Sequence, residues 1–230
     1  MTMKITWLGQ GGLLFEKENL KIMIDPYLSD SVGKADPKKH RRVEVDTRFL
    51  AVKPDVMIFT HNHLDHYDPE TVRNFISEDS RITVLAPSSV WAEVRKIGGS
   101  NNYVLFDRHT QWTEGSIRFE AVKACHSDLS AIGVVLYDEA KTYYVTGDTL
   151  YNKEIFPDLP RNIDVVFLPI NGVGNNMNMA DAVRFAAECG AKNVVPVHFG
   201  MFDELNPELF SCPNKVTPEI YKEIITQSKK

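Results

Sequence analysis

The stretch that decides the fold is the hexapeptide His61-Asn62-His63-Leu64-Asp65-His66, which places three imidazoles and a carboxylate within six consecutive positions. It directly follows the apolar run 56–60. Neutral imidazoles and carboxylates are costly to bury unless a partner satisfies them. A divalent cation would satisfy all of them together, whereas the alternative is an ordinary surface loop rich in histidine and aspartate. The density of ligand-forming side chains favours the metal site.

The spacing within the hexapeptide predicts two directions of approach. In an extended backbone, residues two positions apart point to the same side, so His61 and His63 can converge on one ion. A bend at Leu64 would turn Asp65 and His66 towards a second ion. The hexapeptide is therefore expected to serve two metal positions.

Composition limits the function classes. With 230 residues and 43% hydrophobic content, the chain can form one large domain or two small ones. The net charge of −5 gives no general attraction for nucleic acid or an anionic membrane, so neither is expected as a partner. The N-terminus lacks the apolar region of a signal peptide, and no stretch approaches the ~18 apolar residues of a membrane span. We expect a cytoplasmic protein.

The three cysteines, Cys125, Cys189 and Cys212, are odd in number and widely spaced. This pattern argues against a disulfide framework and against a Cys-X-X-Cys site. We interpret them as buried or indifferent thiols.

The N-terminal part predicts an antiparallel meander. Short apolar runs cover 4–8, 13–16 and 21–24, and the Gly9-Gln10-Gly11-Gly12 cluster lies between the first two. No helix pattern follows these glycines, which excludes a dinucleotide-binding loop and favours a turn. Asp25 ends the third strand before Pro26.

Strands and helices alternate further along the chain. Strands are predicted at 81–86, 116–124, 131–137, 142–146, 164–169 and 193–197. Helices are predicted to begin at Pro69 and Ser88, over the apolar stripe from Ala182 to Cys189, and at Thr217. This alternation indicates helices packed on a sheet, in a single domain spanning 1–230 with two similar halves.

The segment at about 29–45 has no regular pattern and is basic, and we interpret it as an insertion loop. Its cationic residues are Lys34, Lys38, Lys39, His40, Arg41 and Arg42. One interpretation is a solvated loop. The alternative is a lid that supplies cations to an anionic small-molecule substrate, such as a phosphate ester.

Five of the seven histidines fall at the ends of apolar runs. They are His61, His63, His66, His126 and His198, and Asp65 and Asp148 occupy similar positions. Polar clusters at strand ends mark the edge of a sheet at which loops can assemble a site. His40 and His109 lie elsewhere and are interpreted as surface residues.

The hexapeptide, a later histidine, a later Gly-Asp pair and a final histidine after a strand resemble the metallo-β-lactamase superfamily. The resemblance spans nearly the whole chain and implies an α/β fold, a four-layer αββα sandwich with two metal ions at one edge of the sheets. It places His61, His63 and His126 on one ion, Asp65, His66 and His198 on the other, and Asp148 between them. It also suggests that Asp25 accepts a hydrogen bond from a ligand imidazole, with a plain strand-terminating residue as the alternative.

The phrases around His61–Asp68, Val195–Gly200 and Asp203–Pro207 look most like the branch that contains L-ascorbate-6-phosphate lactonase. Histidine and aspartate ligands suit zinc, manganese or iron, with zinc expected first. Two such ions can hold a hydroxide between them, because coordination lowers the pKa of water to about 7. We therefore expect a metal-dependent hydrolase of a small cytoplasmic metabolite, with a lactone or a phosphorylated sugar derivative as the candidate substrates. Asp65 is the candidate catalytic residue, for orienting the nucleophile or returning a proton.

Two other functions are weighed against this one. In the diiron redox branch an acidic residue usually stands at the position of His63, and no flavin module accompanies this chain. A non-enzymatic, metal-stabilised binding protein conflicts with a complete ligand set, although fold alone never proves function. Asn171, Asn175, Asn176 and Tyr151 lie in loops near the predicted edge, where they could contact substrate, but loop asparagines usually serve as turn residues.

Overall fold

Two six-stranded sheets form the frame of the protein. The computed structural model describes residues 2–226, so Met1 and 227–230 of the predicted domain lie outside the described residues. The first sheet has the spatial order β1 (Lys4–Gly9), β2 (Gly12–Lys17), β3 (Leu20–Ile24), β4 (Val56–Ile58), β5 (Thr83–Ala86) and β6 (Asn102–Leu105). The second sheet contains β7 (Gln111–Glu114), β8 (Ile117–Lys123), β9 (Ile132–Tyr137), β10 (Thr142–Val145), β11 (Val165–Pro169) and β12 (Asn193–Val197), which lie side by side in chain order.

Both sheets are mixed. The meander β1–β2–β3 is antiparallel as predicted, and β3, β4, β5 and β6 then pair in parallel. In the second sheet β7, β8, β9 and β10 pair antiparallel, while β10, β11 and β12 pair in parallel. The carboxyl ends of parallel neighbours meet at one edge of a sheet. Loops from several strands are thereby gathered at the same place.

The main core lies between the two sheets. Phe15 on β2 contacts Tyr143 on β10 and Phe167 on β11 edge to face, with ring centroids 5.8 Å apart in each pair. Alternate residues of the first sheet, such as Leu14 and Met23, face a second core on its outer side. A sheet that is apolar on both faces must be covered on both faces.

Helices provide these outer layers. Helix α2 (Pro69–Phe75) and helix α3 (Ser88–Val94) pack on the first sheet, and α4 (Met179–Cys189) packs on the second. Asp68 caps α2 by accepting hydrogen bonds from the N–H groups of Glu70 and Thr71. The four-layer αββα sandwich is therefore confirmed. Among the described residues, no helix has both the length and the apolar character that crossing a membrane would require.

The helix predicted from Thr217 is wrong. That segment runs along the exposed edge of β1, where the N–H of Ile224 donates to the carbonyl of Ile5 at 2.8 Å and the N–H of Tyr221 donates to that of Trp7 at 2.7 Å. Tyr221 has φ +64, which a right-handed helix cannot accommodate. The free backbone groups of the sheet edge outweigh the helical pattern, because an edge strand offers ready hydrogen-bond partners.

The basic segment is more regular than its sequence suggested. It contains α1 (Ser31–Ala35) and a 3₁₀ turn (Pro37–Lys39), and Asp36 accepts a hydrogen bond from the N–H of Lys38 at the start of that turn. Two strands, β6 and β7, were not predicted at all. They lie at sheet edges and are only partly buried, so their sequences carry little apolar signal.

The two sheets are joined at both ends of the sandwich. At one end the N–H of Ile132 donates to the carbonyl of Thr60, and the N–H of His198 donates to that of Gln10, each at 3.0 Å. At the other end Lys17, which ends β2, pairs with Asp138 in the β9–β10 turn, with 3.5 Å between Nζ and Oδ1. The predicted ligand residues gather at the end that carries the main-chain bonds.

Candidate metal centre

The hexapeptide leaves the carboxyl end of β4 and then bends. The carbonyl of His63 accepts hydrogen bonds from the N–H groups of His66 at 3.0 Å and Tyr67 at 2.8 Å. This turn directs Asp65 and His66 away from the extended His61–His63 segment, as the sequence predicted. One short loop therefore reaches two neighbouring positions.

Three further strand ends complete the arrangement. His126 follows β8, Asp148 follows β10, and His198 follows β12. Gly147, with φ +61, allows the Asp148 loop to approach the hexapeptide, because a Cβ at this glycine would lie 3.0 Å from that of Thr60. The absence of a side chain at Gly147 therefore lets these two loops pack closely together.

The ligand-forming atoms of the described residues form three overlapping groups, of which two clusters contain the predicted ligands and the third joins Asp25 to His61 and His66. The first cluster contains His61, His63, His126 and Asp148, and the second contains Asp65, His66 and His198. Within each cluster the ligand-forming atoms lie within 4.8 Å of one another. The structure thus brings together all seven residues that the sequence singled out as ligands, in the division that the resemblance implied.

Asp148 lies between the clusters. Its Oδ1 is 3.2 Å from His66 Nε2, and its Oδ2 is 3.2 Å from His198 Nε2 in the second cluster. The same Oδ2 is 3.9 Å from the Nε2 atoms of His61 and His126 in the first cluster. One carboxylate therefore faces both groups of imidazoles.

Hydrogen bonds fix which nitrogen three of the imidazoles present to the clusters. The hydroxyl of Thr60 donates its one hydrogen to Asp25, so it accepts from Nδ1–H of His61 at 3.0 Å. The Asp25 carboxylate accepts from Nδ1–H of His66 at 2.8 Å, and the carbonyl of Asn175 accepts from Nδ1–H of His126 at 3.3 Å. In the neutral form, all three rings then turn an unprotonated Nε2 towards the cluster.

These lone pairs fit a divalent ion. His61 Nε2 is buried and has no hydrogen-bond partner among the described residues. His66 Nε2 and His198 Nε2 face each other at 3.2 Å, and His63 Nδ1 and His126 Nε2 do so at 3.1 Å. Two ligands of a tetrahedral zinc at about 2.1 Å stand roughly 3.4 Å apart, close to these spacings. The donor set matches zinc, manganese or iron in its chemistry.

The electrostatics also favour cations. Burial opposes a charge on His198, but the carboxylates of Asp148 and Asp65 outweigh it and raise the pKa of His198 to about 10. Burial would raise the pKa of Asp148, yet His198 holds it well below its usual range. In the first cluster burial lowers the pKa of both His61 and His126, which keeps the rings neutral, as metal ligands must be.

Asp25 orients two of the candidate ligand histidines through hydrogen bonds. Its Oδ1 accepts the N–H of Thr60 at 2.8 Å, while its Oδ2 accepts the Thr60 hydroxyl at 2.5 Å and His66 Nδ1–H at 2.8 Å. The carboxylate therefore fixes His66 directly and His61 through Thr60. The hydrogen bond to a candidate ligand imidazole that the resemblance suggested is present, so Asp25 is more than a strand terminator.

Replacing Asp25 with asparagine is expected to weaken metal binding about 10- to 100-fold, the usual effect of losing the carboxylate partner of a ligand histidine. The amide would keep the N–H of Thr60 satisfied but would present its own N–H₂ group to His66 Nδ1, which favours the wrong tautomer. Asparagine tolerates the φ of +45 at this position, so the backbone should persist. Zinc affinity measured by chelator competition tests this prediction.

Asp55→Asn is the matched control. The Asp55 carboxylate also accepts a backbone N–H, that of Lys21 at 2.8 Å, but it lies at the far end of β4 from the clusters. It should leave zinc affinity unchanged. Equal zinc affinity in Asp25→Asn and the wild type would show that the Asp25 contacts do not orient the imidazoles.

Several supporting residues were missed or undervalued in the sequence. Asn176 donates to Asp148 Oδ2 at 2.8 Å, and the Asn171 amide lies 3.0 Å from His198 Nδ1. Gln10 donates to Asp65 Oδ2 at 2.9 Å. A buried amide needs a partner, but the sequence does not say which asparagine is buried. The hydroxyl of Tyr151, by contrast, donates a hydrogen bond to Glu188 on α4 and not to a candidate ligand.

Asp128 ties the His126 loop to its neighbours. Its Oδ2 accepts the N–H of Asn62 at 3.0 Å and the hydroxyl of Ser89 at 2.6 Å, and its Oδ1 accepts the hydroxyl of Ser130 at 2.8 Å. The Asp128 carboxylate therefore links three segments by hydrogen bonds, namely the hexapeptide, the start of α3 and the loop that carries His126. Its sequence position, two residues after a predicted ligand, was the only available signal.

Several cationic side chains of the basic segment form hydrogen bonds or ion pairs with other residues of the protein. Arg41 donates to the carbonyls of Tyr27 at 2.7 Å and Ser29 at 3.2 Å, while Lys34 pairs with Glu70 and Arg42 with Glu204. Lys38 and Lys39 are exposed. His40 and His109 are exposed as well, which confirms their interpretation as surface residues.

Comparison with known proteins is consistent with this geometry. The family model described as "Beta-lactamase superfamily domain" matches residues 21–199. A metal-dependent hydrolase of Bacillus cereus is 30% identical over 93% of both chains, and one of Bacillus mycoides is equally similar over 93% of this chain and 92% of its own.

Solved structures show the same fold. A metallo hydrolase from the archaeon Ignicoccus hospitalis matches with a TM-score of 0.78 over 100% of both chains at 18% identity. An isothiocyanate hydrolase from Delia radicum gut bacteria matches with a TM-score of 0.74 at 21% identity, over 97% of this chain and 98% of its own. The chain belongs to the beta-lactamase superfamily and has the metallo-β-lactamase fold.

Proposed function

We propose that the protein is a hydrolase that uses two divalent metal ions, zinc first, to cleave a small cytoplasmic metabolite. His61, His63 and His126 would hold one ion, Asp65, His66 and His198 the other, and Asp148 would contact both. The observation that carries this proposal is the convergence of imidazole nitrogens and carboxylates from separate strand ends, with the buried His61 Nε2 lacking a hydrogen-bond partner among residues 2–226. The relatives that are named metal-dependent hydrolases support the reaction class.

When bound, such ions supply a nucleophile from water at neutral pH and polarise the bond to be cleaved. The protein's own residues supply orientation and proton transfer. Asp65 is proposed for the proton, because its side chain is 18% exposed whereas that of Asp148 is 6% exposed. A partly exposed carboxylate can exchange a proton with substrate and solvent, while a buried one serves mainly to hold charge.

Three substrate classes are proposed, two of them from a sequence likeness and one from a structural neighbour. A lactone or a phosphorylated sugar derivative follows from the likeness of the hexapeptide and its neighbours to the lactonase-containing branch. An isothiocyanate is suggested by the structural neighbour of that activity. If the substrate is anionic, the exposed Lys38 and Lys39 are proposed to bind its negative charge. Lys34, Arg41 and Arg42 already have partners within the protein.

A screen tests the reaction class and the metal together. Protein loaded in turn with zinc, manganese and iron is assayed against lactones, sugar phosphates, phosphodiesters, thioesters and isothiocyanates, with Asp148→Ala as the inactive control. The expected result is hydrolysis of one class that Asp148→Ala loses. A metal-replete, folded protein that hydrolyses none of them would contradict the proposal, and redox turnover by the iron form alone would favour the diiron alternative.

A further inference from the structure

The turn 9–12, Gly9-Gln10-Gly11-Gly12, is built against the second cluster. It connects β1 to β2, and Gly9 and Gln10 have φ of +93 and +47. Left-handed backbone is costly for a residue with a side chain, so a glutamine there implies contacts that compensate for the strain. Gln10 is 2% exposed, which places its amide in the interior next to the centre.

Gln10 reaches two members of the second cluster by different groups. Its side-chain Nε2 donates to Asp65 Oδ2 at 2.9 Å, and its main-chain carbonyl accepts the N–H of His198 at 3.0 Å. The same carbonyl accepts the indole N–H of Trp7 at 3.0 Å, and Trp7 is 1% exposed. The buried Trp7 therefore fixes the Gln10 carbonyl, and this carbonyl in turn fixes the backbone of His198.

Gly11 reaches the third member. A Cβ at this position would lie 2.6 Å from Cε1 and 2.9 Å from Nδ1 of His66. The imidazole ring of His66 therefore occupies the space that a side chain at Gly11 would need. Gln10 thus contacts Asp65 and His198, and Gly11 lies against His66, in addition to the contacts of Asp25 with His66 and of Asn171 with His198. The members of the first cluster are held by other residues, namely Thr60, Asn175, Asn176 and Ser127.

We infer that the turn 9–12, chiefly through Gln10, is the element that positions the second cluster and sets its metal affinity separately from that of the first. This inference rests on the proposed two-metal function. Gln10 is a positioning residue. Its amide donates to Asp65 Oδ2, the same oxygen that lies 3.3 Å from His198 Nε2, and so fixes the direction in which that oxygen faces.

Zinc binding measured by competition with a chromophoric chelator tests the inference. Gln10→Met keeps the length of the side chain but removes its N–H, and should weaken the ion of the second cluster about 10- to 100-fold. Gly11→Ala should act in the same direction by displacing His66. In both variants the ion of the first cluster should bind as it does in the wild type.

Combining Gln10→Met with a ligand variant of either cluster shows which of the two ions has lost affinity. In His63→Ala, which impairs the first cluster, Gln10→Met should still weaken the remaining ion. In His198→Ala, which impairs the second, Gln10→Met should add no further loss, because residues that act through the same site are not additive. Two substitutions away from the clusters serve as controls. Gln111→Met changes an exposed glutamine on β7, and Gly33→Ala crowds Asp30 and the backbone of His40 instead of a candidate ligand.

A general structural role predicts a different pattern. It would lower the melting temperature of the metal-free protein and weaken both ions equally, and that result would overturn the inference. If the wild type binds both ions and Gln10→Met binds them equally well, the inference fails while the proposed function stands. If the wild type binds no ion that His198→Ala removes, the two-metal proposal itself fails, and the inference fails with it.

Discussion

Replacing Asp148 with asparagine is expected to lower kcat by at least about 10³-fold and to reduce bound metal at both clusters. Asparagine keeps the size of the side chain but removes the negative charge that faces His66 and His198 at 3.2 Å and His61 and His126 at 3.9 Å. A bound metal contributes several kcal/mol to catalysis, and about 4 kcal/mol corresponds to 10³-fold in rate. Metal analysis and the rate on the substrate found by screening measure the two effects.

Asp107→Asn is the control for Asp148→Asn. Asp107 also follows a strand, β6, and accepts the N–H of Ser88 at 2.8 Å, but it belongs to neither cluster. It should retain the metal content and rate of the wild type. If Asp148→Asn bound a full complement of metal, the carboxylate would not be shared between the two ions, and the proposed arrangement would have to be abandoned.

Replacing Asp138 with alanine is expected to lower the free energy of unfolding by about 3–5 kcal/mol, the usual effect of leaving one member of a buried ion pair alone. The side chains of Lys17 and Asp138 are only 6% and 3% exposed. Asp138 Oδ1 also accepts the N–H of Ala140 at 2.7 Å, so alanine would remove a turn contact as well. Urea unfolding of the metal-free protein measures the change without a contribution from metal binding.

Glu139→Ala tests the exposed neighbour in the same turn and should change the free energy of unfolding by less than about 0.5 kcal/mol. Lys17→Met combined with Asp138→Leu removes both charges and should recover most of the loss, because a buried pair can often be replaced by apolar residues. A similar loss in Glu139→Ala and Asp138→Ala would assign the effect to the turn rather than to the ion pair.

The strands that build the core were predictable because their apolar residues fall in short, dense runs. The runs at 131–137 and 164–169 correspond closely to Ile132–Tyr137 and Val165–Pro169. The C-terminal segment was not predictable in this way. Its apolar residues have helical spacing, yet its conformation is decided by the edge of β1, which is more than 200 residues away in the chain.

The candidate ligands were predictable because each one is a polar residue that interrupts or follows an apolar run. The residues that hold them were harder to predict. Thr60, Gln10 and Asn176 are ordinary polar residues in the sequence, and only the fold shows that their side chains are buried beside Asp25, Asp65 and Asp148. Local patterns identify residues with unusual chemistry, whereas orientation depends on contacts between distant segments.

The two main-chain bonds that join the sheets beside the centre have an evolutionary consequence. The bonds from Ile132 to Thr60 and from His198 to Gln10 involve only backbone atoms at their crossing points. Such bonds survive most changes of side chain. Mutations can therefore replace individual side chains around the centre while the two sheets stay in register, so new specificities can arise by single substitutions on an unchanged scaffold.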